Sequence, residues 1–516
     1  MKIFNTLSGK KEKFVPNGDA VTMYVCGINP YSDSHIGHGM NYIIFDVVRR
    51  YLEYRGYKTR HVENVTDVED NIINHANRLG ITVKELTEKY TARHFEDMDN
   101  LNNLRPHETP KATETIPEII ATTQGLIDKG YGYAVGGNVY FRVRKKPDYG
   151  KLSHRSLEQM MAGARVEASE EKEDPMDFVL WKVSKPGEPS WDSPWGKGRP
   201  GWHIECSAMS VKYLGEQIDI HGGGQDLIFP HHENEIAQSE CFTGKKPFVK
   251  YWMHNGLMQM GAEKMSKSLG NLITIRDALK KYSADAIRLF ILSSHYRSPL
   301  TYTEEALEAA QGGAERLLRV ISRDEATKGK GKALDAKPCY DRFIEAMDDD
   351  FNTPQAIASL FDLARDINRA EEAGMNAGKA RQTLRELGGV LGLTFKAPEE
   401  IYFDVEFAKK YVHSWNEAYP TISKGIITIN NPVIGDILDT INDGVGIIAG
   451  TISTNVIKEF ELKNEIVANI GSRIELRSKL REIKQFKLAD EIRNGLVGSG
   501  IVPEDTPTGT TWKRKR

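Results

Sequence analysis

The sequence predicts an α/β fold in which an open parallel sheet is followed by a helical bundle. An apolar run at residues 22–26 predicts a buried strand, which Gly27, Asn29 and Pro30 end with turn-forming chemistry. Residues 59–65 can return as a parallel strand, which would complete a βαβ unit. Between them, apolar residues recur at helical spacing until Gly56 ends the pattern. These are Ile43, Ile44, Val47, Val48, Tyr51 and Leu52.

The composition indicates a multidomain protein in a reducing compartment. With 516 residues, 40% of them hydrophobic, the chain can form roughly two to four domains with separate cores. The net charge of -3 gives no overall basic signature, so nucleic-acid binding has to be argued from local groups. The four cysteines lack paired spacing, and no apolar run approaches a membrane span. We expect a cytoplasmic monomer without a membrane partner.

The sheet is predicted in two halves separated by an insertion at about residues 92–200. A helix from about Val83 to Asn102, a second helix at residues 116–129 and a hairpin at Gly136 and Gly137 are expected before the second half. That half is predicted from residues 201–207, 217–224, 228–239 and 251–257. Thr303 supplies an N-cap oxygen for a later helix, whose first turn contains Glu304 and Glu305.

The carboxyl third is predicted to be mainly helical. Residues 342–391 contain an amphipathic pattern that favours a helical bundle. Residues 464–496 predict one further helix, whereas residues 401–463 have few motifs and no assigned role.

Two short motifs have the chemistry for binding a triphosphate. His35 and His38 lie three residues apart at a predicted helix start, where imidazole N–H groups and the helix dipole can both face phosphate. Gly37 leaves room between them. Far downstream, Lys264 and Lys267 belong to the string KMSKS and can supply cations to the same phosphates. Taken singly, the histidines could be surface or capping residues and the lysines a solvated loop.

The HIGH and KMSKS strings resemble the signatures of class I aminoacyl-tRNA synthetases. The strings GWHIECS, HGGGQDL and FPHHENE, at residues 201–207, 221–227 and 229–235, resemble the cysteinyl-tRNA synthetase family in particular. The resemblance implies a Rossmann-type catalytic domain at residues 1–310, including the insertion and a stem-contact region. It also implies a tRNA-binding bundle at 311–400, an insertion at 401–463 and an anticodon-binding region at 464–516. The implied reaction is ATP-dependent activation of cysteine and its transfer to tRNA(Cys).

The same resemblance implies one zinc ion per chain, bound by Cys26, Cys206, His231 and Glu235. Two thiolates, an imidazole and a carboxylate are a suitable donor set for zinc, and His231 and Glu235 share a helix face if the segment is helical from Phe229. A thiol is a softer ligand than a hydroxyl and is deprotonated more easily on a metal. Zinc would therefore select cysteine over serine without a separate editing domain.

Further site residues follow from the resemblance rather than from spacing. Gly27, Thr66 and Trp202 are expected in the amino-acid pocket, although Trp202 could equally be a core aromatic. Asp226 is expected at the adenylate ribose, with capping of the next helix as the alternative. His35, Gly37, His38, Lys264, Ser266 and Lys267 are the remaining expected ATP-binding residues, and Mg²⁺ is expected with ATP.

For the anticodon, Arg481, Asp490, Asp505 and Trp512 are the matching positions. Arginine can pair with a base edge and aspartate can accept from exocyclic amines. Phe486 stands where relatives have tryptophan, so stacking on an unpaired base is a further option.

Several positions depart from the family pattern and leave two alternatives open. Asn29-Pro30, Met40-Asn41, Glu69 and Asn71 resemble the ligases that join activated cysteine to an amino sugar, and such an enzyme would use a small amine as acceptor. The second alternative is a catalytically weak tRNA-binding relative. The retained bundle, terminal helix and GTTW tail favour the synthetase.

Overall fold

The computed structural model describes residues 1–163, 171–260, 263–264, 273–323, 331–396, 501–506 and 509–514. The chain divides into two compact units, Met1–Phe395 and Lys396–Arg516. Ser266 and Lys267, the segment 401–463, the helix predicted at 464–496 and the residues Arg481, Phe486 and Asp490 lie outside the described residues. The predicted domain boundaries stay predictions.

The helices and strands alternate through the first half of the chain. The elements of that half are β1 (Lys2–Asn5), β2 (Lys10–Lys13), β3 (Ala20–Ile28), α1 (Ile36–Tyr54), β4 (Lys58–Val65), α2 (Asp70–Leu79), α3 (Val83–Asn100), α4 (Ile116–Asp128), β5 (Gly132–Val135), β6 (Asn138–Phe141), α5 (Leu157–Gly163), β7 (Phe178–Val183), β8 (Gly198–Pro200), α6 (Trp202–Leu214), β9 (Ile218–Gly224), α7 (Glu233–Thr243) and β10 (Val249–Asn255).

The remaining elements are mostly helical. They are β11 (Met258–Met260), β12 (Glu263–Lys264), α8 (Ile275–Lys281), α9 (Ala284–Leu292), β13 (Leu300–Tyr302), α10 (Glu304–Ile321), α11 (Lys337–Asp348), α12 (Thr353–Glu372), α13 (Gly378–Val390), β14 (Ile501–Thr506) and β15 (Gly509–Arg514).

A four-stranded parallel sheet in the order β10-β9-β3-β4 forms the centre of the first unit. The predicted βαβ unit is confirmed, because β3 and β4 are parallel neighbours joined by α1. Since β4 lies on one side of β3 and β9 on the other, the strand order reverses at β3. Ligands of open α/β sheets bind at such a reversal, outside the carboxyl ends of the strands.

The insertion contains more β structure than its sequence pattern indicates. The expected hairpin is present as β5 and β6, and β7 and β8 extend it into a four-stranded antiparallel sheet. Its core includes Phe141, Leu180 and Trp181, which also pack with residues of α4, α6 and α7. The sheet of the insertion is therefore packed against α4, which lies within the insertion, and against α6 and α7, which follow it.

The predicted bundle is present as α11, α12 and α13. Leu360, Leu363 and Ile367 form part of the buried face of α12, and they belong to the same large core as α1 and α9. Thr303 caps α10 as expected, accepting a hydrogen bond from the backbone N–H of Ala306 at 3.1 Å. In the second unit, β14 and β15 form an antiparallel hairpin that contains Asp505 and Trp512. Among the described helices, none is long and apolar enough to cross a membrane.

Candidate functional site

A buried group of thiol, imidazole and carboxylate side chains lies at the point where the strand order reverses. Cys26 near the end of β3 meets His231, His232 and Glu235, and one donor atom from each residue falls within 4.8 Å of the others. The shortest separations are 3.2 Å from Cys26 Sγ to His232 Nε2 and 3.0 Å from His231 Nε2 to Glu235 Oε1. We call these four residues the donor cluster.

Local geometry at the start of α7 brings two of these ligand candidates to one side. Phe229 has extended backbone angles, φ −138° and ψ 129°, so the segment is not helical from Phe229 onward. The residue before a proline is disfavoured in the helical region, which explains the break before Pro230. His231 and Glu235 still make the expected contact four residues apart, because the backbone is helical from His232 into α7.

Cys206, the fourth zinc ligand expected from the sequence, also reaches this cluster from α6. Its side chain is buried, and interactions with Cys26 and His231 lower the pKa of its thiol, although Cys206 is not one of the four residues whose donor atoms lie within 4.8 Å of one another. The structure therefore brings together Cys26, Cys206, His231 and Glu235, with His232 as an additional neighbour. These five residues meet only because strand β3 and helices α6 and α7 pack together. No two of these elements are adjacent in the sequence.

A second layer of histidines surrounds the donor cluster. His221 on β9 lies 2.9 Å from the second carboxylate oxygen of Glu235, and His203 Nδ1 lies 2.9 Å from His231 Nδ1. His254 on β10 lies 2.8 Å from His232 Nδ1. Such contacts fix the ring orientation of a metal ligand and its tautomer.

Electrostatics divide the cluster into groups of opposite charge preference. A hydrogen bond from the Cys26 thiol lowers the pKa of Cys206 to about 6 even though burial opposes this, whereas burial raises the pKa of Cys26 itself. Burial would raise the pKa of Glu235, but His221 and His231 lower it to about 2. Burial would lower the pKa of His231, but Glu235 raises it to about 10. One thiolate and one carboxylate therefore face one imidazolium. A divalent cation can balance these two negative charges in place of the proton on the imidazolium.

The donor types fit a zinc ion better than a harder cation. Sulfur and imidazole nitrogen are zinc ligands, whereas magnesium and calcium prefer oxygen donors throughout. Of the candidate ligands only Glu235 offers oxygen. The arrangement could hold a metal that in turn binds a thiol.

Of the residues expected in the amino-acid pocket, Trp202 and Gly27 adjoin the donor cluster. Trp202 stacks on His231 with ring centroids 4.4 Å apart and is 37% exposed, so it is not a core aromatic. Thr66 is buried and its hydroxyl accepts from Asn64 Nδ2 at 3.1 Å. At Gly27 an added Cβ would lie 1.6 Å from the carbonyl oxygen of Asn64, so the close approach that requires glycine is to β4.

His35 and His38 cap the start of α1. Each ring Nδ1 accepts a hydrogen bond from the backbone N–H of the other residue, at 3.4 and 3.3 Å, and the two rings stack 3.7 Å apart. With Nδ1 accepting, a neutral ring has its hydrogen on Nε2. Capping and phosphate binding are therefore compatible, because they use different ring nitrogens. At Gly37 an added Cβ would lie 2.9 Å from His35 Nδ1, so the residue leaves room for that ring.

The other expected ATP-binding residues are described in part. Lys264 lies in β12, which pairs with β11, and Ser266 and Lys267 are outside the described part of the chain. Asp226 lies in a short 3₁₀ turn directly after β9, at the carboxyl end of the central sheet. This position places its backbone at the edge where nucleotides bind in such sheets.

Three of the unusual positions are neighbours in space. Burial raises the pKa of Glu69, and the side chains of Asn29 and Asn71 oppose that rise. Asn71 Nδ2 donates to the Glu69 carboxylate at 3.3 Å. Glu69 stands immediately before α2. These three departures from the family pattern thus lie together, between the loop after β3 and the start of α2.

Sequence reasoning did not identify His203, His221, His232 or His254. His232 follows His231 directly, so a search for all histidines near the expected ligands would have found it. His221 and His254 approach only because β9 and β10 pair in parallel register, which spacing along the chain does not reveal.

Comparison with known proteins gives matches along most of the chain. Residues 13–312 match the family of tRNA synthetases class I (C) catalytic domains, and residues 342–396 match the DALR domain. A cysteine–tRNA ligase of Dehalococcoides mccartyi is 52% identical over 517 residues, covering 100% of both chains. The cysteine–tRNA ligases of Aquifex aeolicus and Cronobacter sakazakii are 45% and 46% identical; both alignments cover 100% of this chain, with 99% and 100% of the relatives.

A solved structure with the same fold is more distant in sequence. Methionyl-tRNA synthetase of Mycobacterium tuberculosis in complex with methionyl-adenylate superposes with a TM-score of 0.53 at 15% identity. The match covers 72% of this chain and 90% of that chain. The shared fold agrees with the predicted Rossmann-type catalytic domain.

Proposed function

The chain belongs to the cysteine–tRNA ligase family, and from this premise we propose how its residues select and activate cysteine. It is a ligase that joins cysteine to its tRNA. The full-length similarity to cysteine–tRNA ligases favours tRNA as the acceptor over a small amine. We expect a monomeric, cytoplasmic enzyme that uses ATP with Mg²⁺.

The zinc ion that would select cysteine would be held by Cys26, Cys206, His231 and Glu235. The observation that supports this most is the meeting of two thiols, an imidazole and a carboxylate in a buried site beside Trp202. Bound there, zinc supplies a soft Lewis acid that prefers the thiolate of cysteine to the hydroxyl of serine. His221 orients Glu235, while Thr66 and Trp202 border the amino-acid pocket.

Activation takes place between the donor cluster and the start of α1. The carboxylate of cysteine attacks the α-phosphorus of ATP, a new C–O–P linkage forms, and the bond to the diphosphate leaving group breaks. His35 and His38 stabilise the phosphate charge that develops, using ring N–H groups and the dipole of α1. Lys264, Ser266 and Lys267 bind the same phosphates, and Asp226 binds the ribose. Gly27 keeps β3 close to β4 behind the substrate.

Transfer to tRNA completes the reaction. A hydroxyl of the terminal ribose attacks the carbonyl of the adenylate, the ester forms and AMP leaves. Residues Arg481, Asp490, Asp505 and Trp512 read the anticodon in this proposal, with Asp505 and Trp512 on the hairpin of β14 and β15. Polar and aromatic side chains of this kind suit unpaired bases.

Two assays on the full chain test the proposed reaction. We expect exchange of labelled pyrophosphate into ATP that depends on cysteine, followed by charging of tRNA(Cys). Exchange without charging of tRNA, but with transfer to an amino sugar, would favour the small-amine ligase. Absence of exchange would favour a tRNA-binding relative.

The ligand set is tested by comparing Cys206→Ser with His232→Asn. We expect Cys206→Ser to lose zinc and cysteine selectivity together, because a direct ligand is removed. We expect His232→Asn to retain one zinc per chain, because His232 is a neighbour of the ligands rather than one of them. Metal content measured after dialysis distinguishes the two, and the opposite pattern would assign the fourth ligand to His232.

A further inference from the structure

Helix α3 contacts the chain immediately before the HIGH histidines. The buried hydroxyl of Ser34 lies 3.0 Å from Nδ1 of His94, which is also buried. One residue earlier on each element, Arg93 Nε lies 2.6 Å from Asp33 Oδ1. Burial, together with nearby Arg105, lowers the pKa of His94 to about 3, so its ring is neutral and the contact is an ordinary hydrogen bond. Arg93 and His94, which are adjacent on α3, thus contact the two residues that precede His35.

The same helix contacts the chain that follows KMSKS. Arg276, in the first turn of α8, places Nε 2.9 Å from Asp97 Oδ1 and a terminal nitrogen 2.5 Å from Glu96 Oε2. That terminal nitrogen also donates to the carbonyl oxygen of Arg93 at 3.2 Å. Asp97 is fully buried, whereas the side chain of Glu96 is 61% exposed. The pair of Arg276 with Asp97 is therefore the shielded contact of the two.

The two segments that α3 holds are also joined to each other. The backbone N–H of Ile36 donates to Ile273 at 2.9 Å, and that of Ile275 donates to Ser34 at 3.0 Å. These bonds form an isolated antiparallel bridge between His35 and Thr274. Helix α3, the start of α1 and the start of α8 consequently all contact one another, and we call this meeting point the joint.

We propose that Asp97 and Arg276 are positioning residues, which set the place where the KMSKS-bearing chain returns beside His35 and His38. The proposal rests on the proposed function, in which these histidines and Lys267 act on the same ATP. Displacement of one reacting group by about 1 Å can cost on the order of 100-fold in rate. A shielded ion pair at this joint opposes such displacement.

Stability alone does not account for the carboxylate at this position. Burial raises the pKa of Asp97 to about 6, although Arg276 opposes the shift. The folded protein thus disfavours the charge that the ion pair requires. Buried ion pairs are often no more stabilising than neutral side chains that fill the same space. A role in geometry explains why the charge is present at this joint.

The test compares Asp97→Asn, Arg276→Gln and the double variant by cysteine-dependent pyrophosphate exchange. We expect each single variant to lower kcat about 10- to 100-fold, because a displacement of the reacting groups by up to about 1 Å has an effect of this order. The KM for cysteine and the zinc content should stay within about twofold, because the contacts of Arg276 with Asp97, Glu96 and Arg93 include no residue of the donor cluster. The kcat of the double variant should be no lower than that of the less active single variant, since both substitutions remove the same contact.

The matched control is Asp99→Asn on the same helix. Asp99 pairs with Arg105 at 2.5 Å on the surface, and its side chain is 49% exposed. We expect full exchange activity from this variant, because the ion pair that it removes involves neither the start of α1 nor the start of α8. Equal losses in the control and in Asp97→Asn would overturn the proposal, and so would additive losses in the double variant or a change in KM as large as that in kcat.

Failure of the proposal is distinguishable from failure of the proposed function. Lys267→Ala should depress exchange in any case if the KMSKS lysine acts on ATP. A large loss in Lys267→Ala with none in Asp97→Asn would reject the positioning role alone. No loss in Lys267→Ala would reject the assignment of KMSKS, and the positioning proposal with it.

Discussion

The donor cluster and the start of α1 are neighbouring sites with opposite construction. Cys26, His231 and Glu235 are buried, and a second layer of histidines surrounds them. His35 and His38 are only partly buried and stack on each other at a helix end. Selection of a small amino acid requires a rigid, water-poor site, whereas ATP has to enter and diphosphate has to leave. Because of this difference, substitutions at the two sites should affect different quantities. Changes at the donor cluster should weaken cysteine recognition, and changes at the start of α1 should slow activation.

The largest expected effect follows from Cys26→Ser. Serine replaces a soft thiolate by a hydroxyl that zinc binds poorly, so we expect loss of zinc together with about a 1,000-fold fall in kcat/KM for cysteine, equivalent to about 4 kcal/mol. Cys339→Ser is the matched control, because Cys339 is a buried free cysteine in the helical bundle. Metal analysis and pyrophosphate exchange on both variants make the comparison. Retained zinc and retained cysteine binding in Cys26→Ser would remove this residue from the ligand set.

A smaller effect of a different kind is expected from His38→Ala. Loss of one donor to the developing phosphate charge should lower kcat for exchange by about 100-fold. The KM for cysteine should change little, since the donor cluster is left intact. His154→Ala, which removes an exposed histidine bonded to the carbonyl of Thr6, serves as the control. A rise in the KM for cysteine comparable to the fall in kcat would contradict the separation of the two sites.

The smallest effect is expected from His221→Asn, which alters the second layer without touching the first. His221 holds the carboxylate of Glu235 at 2.9 Å, and loss of such a contact commonly weakens metal binding about 10- to 100-fold. Titration with a competing chelator measures that affinity. Zinc should remain bound at saturating concentration, in contrast to Cys26→Ser. Unchanged affinity would show that the buried histidines do not support the ligands.

Local patterns were sufficient for the main elements of the fold. Residues 22–26 and 59–65 were predicted as parallel strands around one helix, and β3, α1 and β4 confirm this arrangement. The antiparallel sheet of the insertion was not predicted, because β7 and β8 are separated by residues without regular alternation and pair only over three positions. Long-range strand pairing of this kind leaves little signal in the local sequence.

Within the candidate site, sequence identified residue types better than it identified their surroundings. The i and i+4 spacing correctly placed His231 against Glu235. It could not show that His232 points into the same cluster, because that depends on the break at Phe229. It also could not show that Gly27 faces the carbonyl of Asn64, which depends on the packing of β3 against β4. Tertiary packing therefore determined the features that spacing did not.

The central claim is that the thiolate of the substrate cysteine binds directly to a metal held by Cys26, Cys206, His231 and Glu235. Spectroscopy of the full chain with cobalt(II) in place of zinc tests it directly, since cobalt reports its ligands in its absorption. Addition of cysteine should produce a new thiolate-to-cobalt charge-transfer band, whereas serine at the same concentration should leave the spectrum unchanged. If cysteine supports pyrophosphate exchange in the cobalt protein without altering that spectrum, the substrate does not bind the metal and the account of selection is wrong.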